Sequence, residues 1–202
     1  MNDRFRGIYR NESARAWWRD YSSDGLYYIT ACTYGMECTL GKIISKKMFP
    51  SSIGEIVLEE WYKSFEIRRE LSCDIFQMMP NHLHAILRID TDGSGAPKGS
   101  RLTETVTSIL HSDVTRRVQT FVPSALPKSG VAYRPPRSIS SFVGGFKSAA
   151  TKKINEYKNT PRSPVWQPRF HDHVIRSFEE YCAIYMYIRN NVRNWKADEY
   201  WR

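Results

Sequence analysis

Hydrophobic and polar positions recur with two different periods along this chain, and each change of period marks an element. Leu26-Tyr27-Tyr28-Ile29-Thr30-Ala31-Cys32-Thr33 is β-branched and aromatic and follows Asp24-Gly25, which predicts a first core strand. A shorter extended piece is expected around Cys38 to Ile44. Ser52 and Glu55 read as a capping box, and Ile56, Trp61 or Tyr62, and Phe65 follow at roughly helical spacing, so a helix should run to about Leu71. The run from Cys73 to Met78 alternates as a second strand, Pro80-Asn81 turns the chain, and Ala85-Ile86-Leu87 with Ile89 reads as a buried strand.

The pattern breaks between Thr91 and Arg137. Thr91–Ser100 is rich in Gly and Ser, and Pro123–Arg137 is rich in Pro. Between these loops Leu102, Val106, Ile109, Leu110 and Val118 recur at helical spacing, so the insertion at about 91–137 should carry an amphipathic helix; His111 within it reads as a surface residue. From Ser138 to about Tyr157 a second main helix is expected, with Ile139, Phe142, Val143, Phe146, Ala150 and Ile154 as its apolar stripe. Gly144-Gly145 in its middle costs about 1 kcal/mol per residue relative to Ala, which a closely approaching backbone would explain. The stretch from Val165 to Arg176 completes the sheet, and the capping box Ser177/Glu180 starts the last helix at Phe178. Phe178, Tyr181, Cys182, Tyr185, Ile188 and Val192 fall on one stripe of that helix. Tyr187 lies about 200° from Tyr185 on the wheel, with Asn191 as its i+4 neighbour, so a phenol and a carboxamide are presented together away from the stripe.

Composition narrows the class. The 202 residues suit one domain over 24–202 preceded by an arm at 1–23, and 13% aromatic with 41% hydrophobic residues excludes a disordered chain. Thirty Lys and Arg against 21 acids leave +9, which favours a polyanionic partner, nucleic acid first. Cys32, Cys38, Cys73 and Cys182 form no CxxC pair and read as buried thiols in a reducing compartment. No apolar run reaches the ~20 residues of a membrane helix, so a cytoplasmic protein without a membrane partner is expected. In the arm, Arg15, Trp17, Trp18 and Arg19 can bind phosphates and stack on bases, or can pack their rings on the body. Lys147, Lys152 and Lys153 of the second helix form either a solvated face or a phosphate track.

Chemistry concentrates in Met79-Pro80-Asn81-His82-Leu83-His84. On a strand, residues i and i+2 share a face, so His82 and His84 project side by side and outward while Leu83 faces the core. Two neutral imidazoles so placed can converge on one metal ion; they can equally be ordinary surface or hydrogen-bonded histidines. A second such pair, His171 and His173, ranks lower, because presenting both outward would turn Asp172 toward the core; a structural or DNA-contacting role suits His173 better.

Five blocks carry a resemblance: Met79 to His84, Gly145-Phe146-Lys147-Ser148-Ala149, Val165-Trp166-Gln167-Pro168-Arg169-Phe170, Asp172-His173-Val174-Ile175-Arg176 and Tyr187-Ile188-Arg189-Asn190-Asn191. In this order, over about residues 24–195, the chain resembles the single-tyrosine HUH transposases, and among them the REP-associated tyrosine transposases. The resemblance implies an α+β fold, a ferredoxin-like antiparallel sheet with helices packed on one face, to which this chain adds its inserted helical segment. It implies DNA transposition and recombination chemistry. His82 and His84 match the metal ligands, Tyr187 the nucleophile, and Asn191 the polar residue that completes the metal site. The implied activity is metal-dependent nicking and joining of single-stranded DNA through a 5′-phosphotyrosine intermediate, with Mg or Mn as cofactor. A hairpin-forming repeat is the implied partner, with monomer and homodimer both open. Binding is expected from Arg15, Arg19, Lys147, Lys152, Lys153, Arg169, His173 and Arg176. Relatives usually carry proline where this chain has Val192, and the 91–137 insertion is unusually long. Two other classes remain: a non-catalytic single-stranded nucleic-acid binder on the same fold, and a metal-dependent hydrolase in which water attacks.

Overall fold

A computed structural model describes residues 23–90 and 137–201, together with the backbone of two short paired strands, β1 (Arg4–Phe5) and β2 (Tyr9–Arg10). The inserted helix expected within 91–137, and Arg15 and Arg19 of the arm, lie outside the described residues.

The body is built on β3 (Gly25–Cys32), β6 (Leu71–Met78), β7 (His82–Ile89) and β8 (His171–Ile175), which form a four-stranded antiparallel sheet in the order β6-β7-β3-β8. The hairpin β4 (Gly41–Ile44) and β5 (Lys47–Pro50) stands apart, closed by Ser45 and Lys46 at φ 50° and 61°. Helix α1 (Ser52–Ile67) joins β3 to β6 across that hairpin, and α2 (Ile139–Lys158) leads from the insertion to β8. This strand-helix-strand-strand-helix-strand order with its antiparallel sheet is the ferredoxin-like arrangement the resemblance implied.

The apolar stripe of α2 (Ile139, Phe142, Val143, Phe146, Ala150 and Ile154) lies with Val57 and Trp61 of α1 against Tyr27, Ile29 and Ala31 of β3 and Leu83, Ala85 and Leu87 of β7. Trp61 is the hub, stacked on Phe76 at 4.6 Å and edge-on to Phe142 and Phe146. Lys153 bridges the two helices through Glu60 at 2.6 Å and Glu59 at 3.3 Å. Gly54 is where α1 approaches most closely: a Cβ there would meet the Leu40 carbonyl oxygen at 2.0 Å. Gly145 has no such reason, since a Cβ would meet nothing within 4 Å; the close approach expected at this glycine is absent.

Caps are set locally, with one displacement. Ser177 caps α3 (Phe178–Asn190) as the pattern predicts and Ser138, the expected first residue of α2, serves as its cap, but α1 is capped by Ser51 and not Ser52. Ser51 Oγ also donates to the Thr39 carbonyl at 2.6 Å, a tertiary bond that settles which serine takes the cap.

Helix α3 lies on the other face of the sheet. Tyr28, Ile86 and Ile175 make an apolar strip there, and Ile188 buries itself on it with Tyr181, Ile184, Tyr185 and Tyr187 around it. The helix is therefore rotated from the stripe read in the sequence: Phe178 is 75% exposed and Cys182 is exposed, while Ile184 and Tyr187 face the sheet. No described helix is long and apolar enough to cross a membrane.

Candidate metal centre and tyrosine site

Register on β3 and β7 places one polar set on the α3 side of the sheet. Residues directly opposite across paired strands share a face, and Thr30 stands opposite His84, Tyr28 opposite Ile86, and Cys32 opposite His82. On the far side of β3, Tyr28 faces His173 and Thr30 faces His171, so the second histidine pair also lies on this side while Asp172 pairs with Ile29. Asp172, the residue that ranks this pair lower, is only half-buried, on β8 at the edge of the sheet.

His82 and His84 are not outward-facing. Both are 0% exposed, covered by α3 and by the segment after it, whose Tyr200 ring lies 4.6 Å from the His82 ring and whose Trp195 lies 6.0 Å away. Burial favours the neutral imidazole, pushing His82 down to about 3 and His84 well below the ordinary histidine range. The same desolvation raises the phenols of Tyr28 and Tyr200.

Each ring is held from behind. Thr30 Oγ1 and Tyr28 Oη lie 2.8 and 2.9 Å from His84 Nδ1, and Thr30 also donates to Tyr28 Oη at 3.1 Å. His82 Nδ1 lies 2.8 Å from Asn81 Oδ1. The Nε2 atoms of both rings are thus turned toward the interior of the site. His82 Nε2 is buried and meets no hydrogen-bond partner among the described residues. His84 Nε2 lies 3.4 Å from the Tyr187 phenol, which is also 3.4 Å from Asp198 Oδ2.

His82, His84 and Asp198 each offer a ligand atom, and these atoms lie within 4.8 Å of one another. An ion held about 2.1 Å from its ligands spans about 4.2 Å between opposite ones, so small side-chain adjustments bring this set onto a single cation. The orphaned lone pair of His82 Nε2 fits such an ion, since a buried acceptor without a partner otherwise costs about 1–3 kcal/mol. Asn191, which closes α3, is 2% exposed with neither side-chain amide atom bonded among the described residues.

Other anticipated residues are scattered. Lys147 donates to the carbonyls of Gln167 and Arg169, tying the approach to β8 onto α2. Lys152 is exposed and Lys153 is ion-paired, both on the helix layer behind the sheet from the histidines. Arg169 and Arg176 are exposed, and His173 Nε2 lies 2.7 Å from Glu180 Oε1. Sequence reasoning missed Asp198, Tyr28 and Thr30. The two hydroxyls at i and i+2 within an apolar strand were a legible signal, whereas nothing local marks Asp198.

No family model matches the chain. It is 31% identical over 196 residues to a Haemophilus influenzae protein described only as uncharacterized, covering 96% of this chain and 94% of that one. Among solved structures, a REP-associated tyrosine transposase bound to a REP hairpin superimposes with a TM-score of 0.52 at 15% identity, over 89% of this chain and 73% of that one. A transposase-like protein of Deinococcus radiodurans gives 0.39 at 14% identity, over 85% and 94%.

Proposed function

We propose, for a chain that belongs to one family with the Haemophilus influenzae protein and shares the fold of a REP-associated tyrosine transposase, metal-dependent nicking and joining of single-stranded DNA in the cytoplasm. One observation carries this reading. Two buried neutral imidazoles, a carboxylate and the Tyr187 phenol converge on one side of the sheet, with His82 Nε2 left without a partner among the described residues.

His82, His84 and Asp198 would hold a divalent cation such as Mg or Mn, with the Asn191 amide as a further candidate ligand. Bound there, the ion would neutralise the charge of a scissile phosphate and polarise it toward attack. The protein supplies the rest. Tyr187 Oη forms the bond to phosphorus, the P–O3′ bond breaks, and the departing oxygen leaves as a free 3′-hydroxyl. The phenol proton has a carboxylate acceptor at hand in Asp198 Oδ2, a contact long for an O–H···O bond and able to shorten once substrate is seated. A 3′-hydroxyl attacking the phosphotyrosine reverses the step and joins a strand without a nucleotide cofactor.

The partner in this reading is a single DNA strand that carries a hairpin; the structural neighbour is bound to a REP hairpin. The basic composition suits it. A 3′-labelled single strand with a hairpin, incubated with Mn²⁺, should give a protein–DNA adduct that survives denaturation. Cleavage without adduct would point to a hydrolase using water, and salt-sensitive binding without cleavage to a non-catalytic binder.

A further inference from the structure

Asn81 reads in the sequence as a turn residue, yet it is 0% exposed, and its side chain bonds to a site histidine, to the segment that covers the site and to the turn at Met36. Its Nδ2 donates to the carbonyl oxygens of Met36 at 3.1 Å and Tyr200 at 2.7 Å. Carbonyls only accept, so these two partners fix which end of the amide is nitrogen. The other end, Oδ1, is then an acceptor, and the hydrogen in its 2.8 Å contact with His82 must sit on Nδ1. A flipped amide would set oxygen against two carbonyls. His82 is thereby held as the Nδ1–H tautomer, with its lone pair on the buried, unpartnered Nε2.

The same amide reaches the segment that closes the site. Tyr200 is bound to Asn81 through its carbonyl, its amide donates to Asp198 Oδ1 at 2.8 Å, and its ring packs on His82. We propose that Asn81 is a positioning residue of the candidate cation site: one carboxamide sets the tautomer of His82 and anchors the strand of chain that brings Asp198 to it. Calling the site a cation site rests on the function proposed above; the tautomer and the anchoring do not.

Two variants separate the two roles. Asn81→Asp keeps an acceptor for His82 Nδ1–H but turns a carboxylate oxygen on the Met36 and Tyr200 carbonyls, whereas Asn81→Ala removes both contacts. In protein free of metal and DNA near neutral pH, ¹⁵N resonances of the His82 ring should report the Nδ1–H form in wild type and in Asn81→Asp. They should report a tautomer mixture in Asn81→Ala. Hydrogen exchange of amides in 195–201 should accelerate at least about tenfold in both variants, and Mn²⁺ affinity in Asn81→Ala, titrated without DNA, should fall about 10–100-fold. An Nδ1–H His82 together with wild-type exchange and Mn²⁺ affinity in folded Asn81→Ala would overturn the proposal. If that variant does not fold, unchanged exchange in Asn81→Asp does so. Wild type that shows the tautomer but never yields a DNA adduct would sink the transposase reading alone.

Discussion

The phenol oxygen of Tyr187 lies 3.4 Å from Nε2 of His84, although 103 residues separate the two in the chain. The contact exists because α3 crosses the face of β7 that carries the histidines, and the rotation of α3 brings Tyr187 to the sheet beside Ile188. Tyr181 and Tyr185 share that helix but stack along its length toward Phe178, at 5.9 and 6.4 Å between successive rings. Tyr187→Phe should therefore keep its packing and bind single-stranded DNA within about twofold of wild type. It should form no covalent adduct, while Tyr181→Phe and Tyr185→Phe should retain one. An adduct persisting only in Tyr187→Phe would assign the chemistry elsewhere on the helix.

Burial of the histidines changes what their removal should do. His84→Ala would strip the Tyr28 and Thr30 hydroxyls of a buried partner and open a cavity, at a cost of roughly 2–4 kcal/mol in a denaturant melt. Loss of adduct in this variant is informative only alongside that melt. An undisturbed midpoint would mean that the hydroxyls find other partners.

Cation binding is measurable without DNA. A ligand present at about 100 times its dissociation constant stabilises the folded state by about 2.7 kcal/mol, roughly 5–10 °C in melting temperature for a chain of this size. Mn²⁺ should raise the melting temperature of wild type by such an amount and should not do so in a protein carrying both His82→Ala and His84→Ala. An equal rise in the double variant would place the ion at another site.

Acid should destabilise the protein from the histidine range downward. His82 has an ordinary value of 6.5 when unfolded and is pushed down to about 3 by burial, and His84 moves the same way. Below 6.5 the unfolded chain takes up protons that the folded chain refuses, so the stability present above that value is lost as pH falls toward the folded value. Between about pH 7.5 and pH 5 the His82 ring should remove on the order of 2 kcal/mol, with His84 acting in the same direction, read from urea midpoints. A flat profile over that window would show that the rings become solvated before the fold opens.

Gly145 of α2 and Gly54 of α1 should respond with opposite signs. Gly145→Ala meets open space in α2 and should stabilise by up to about 1 kcal/mol. Gly54→Ala drives a methyl against the Leu40 carbonyl and should destabilise by about 1–3 kcal/mol. Thermal melts of the two single variants compare them directly.

Features encoded by near neighbours were legible in the chain itself. The period of two put His82 and His84 on one face of β7, and Ser177 announced its helix because a cap bonds only two or three residues ahead. The strand and helix order that makes the sheet was readable for the same reason. What the pattern left open is which face of each element would be covered, and by what. The wheel of α3 was read from apolar identity, which counted Phe178 and Cys182 as core and Tyr187 as outward, yet the sheet beneath offers a polar site that receives a tyrosine. Lys153 belongs to a basic stripe in sequence and to an ion pair with Glu60 in space. By itself the sequence determined the order of strands and helices, the paired imidazoles and the basic charge, since these follow from period, spacing and composition, while the ferredoxin-like sheet was implied by the family resemblance. Only the tertiary structure decided that the imidazoles are buried, that Asn81 orients one of them, and that Asp198 joins the group. Those outcomes depend on packing α3 and the segment 195–201 onto a sheet face more than 100 residues earlier in the chain, a contact no local pattern records.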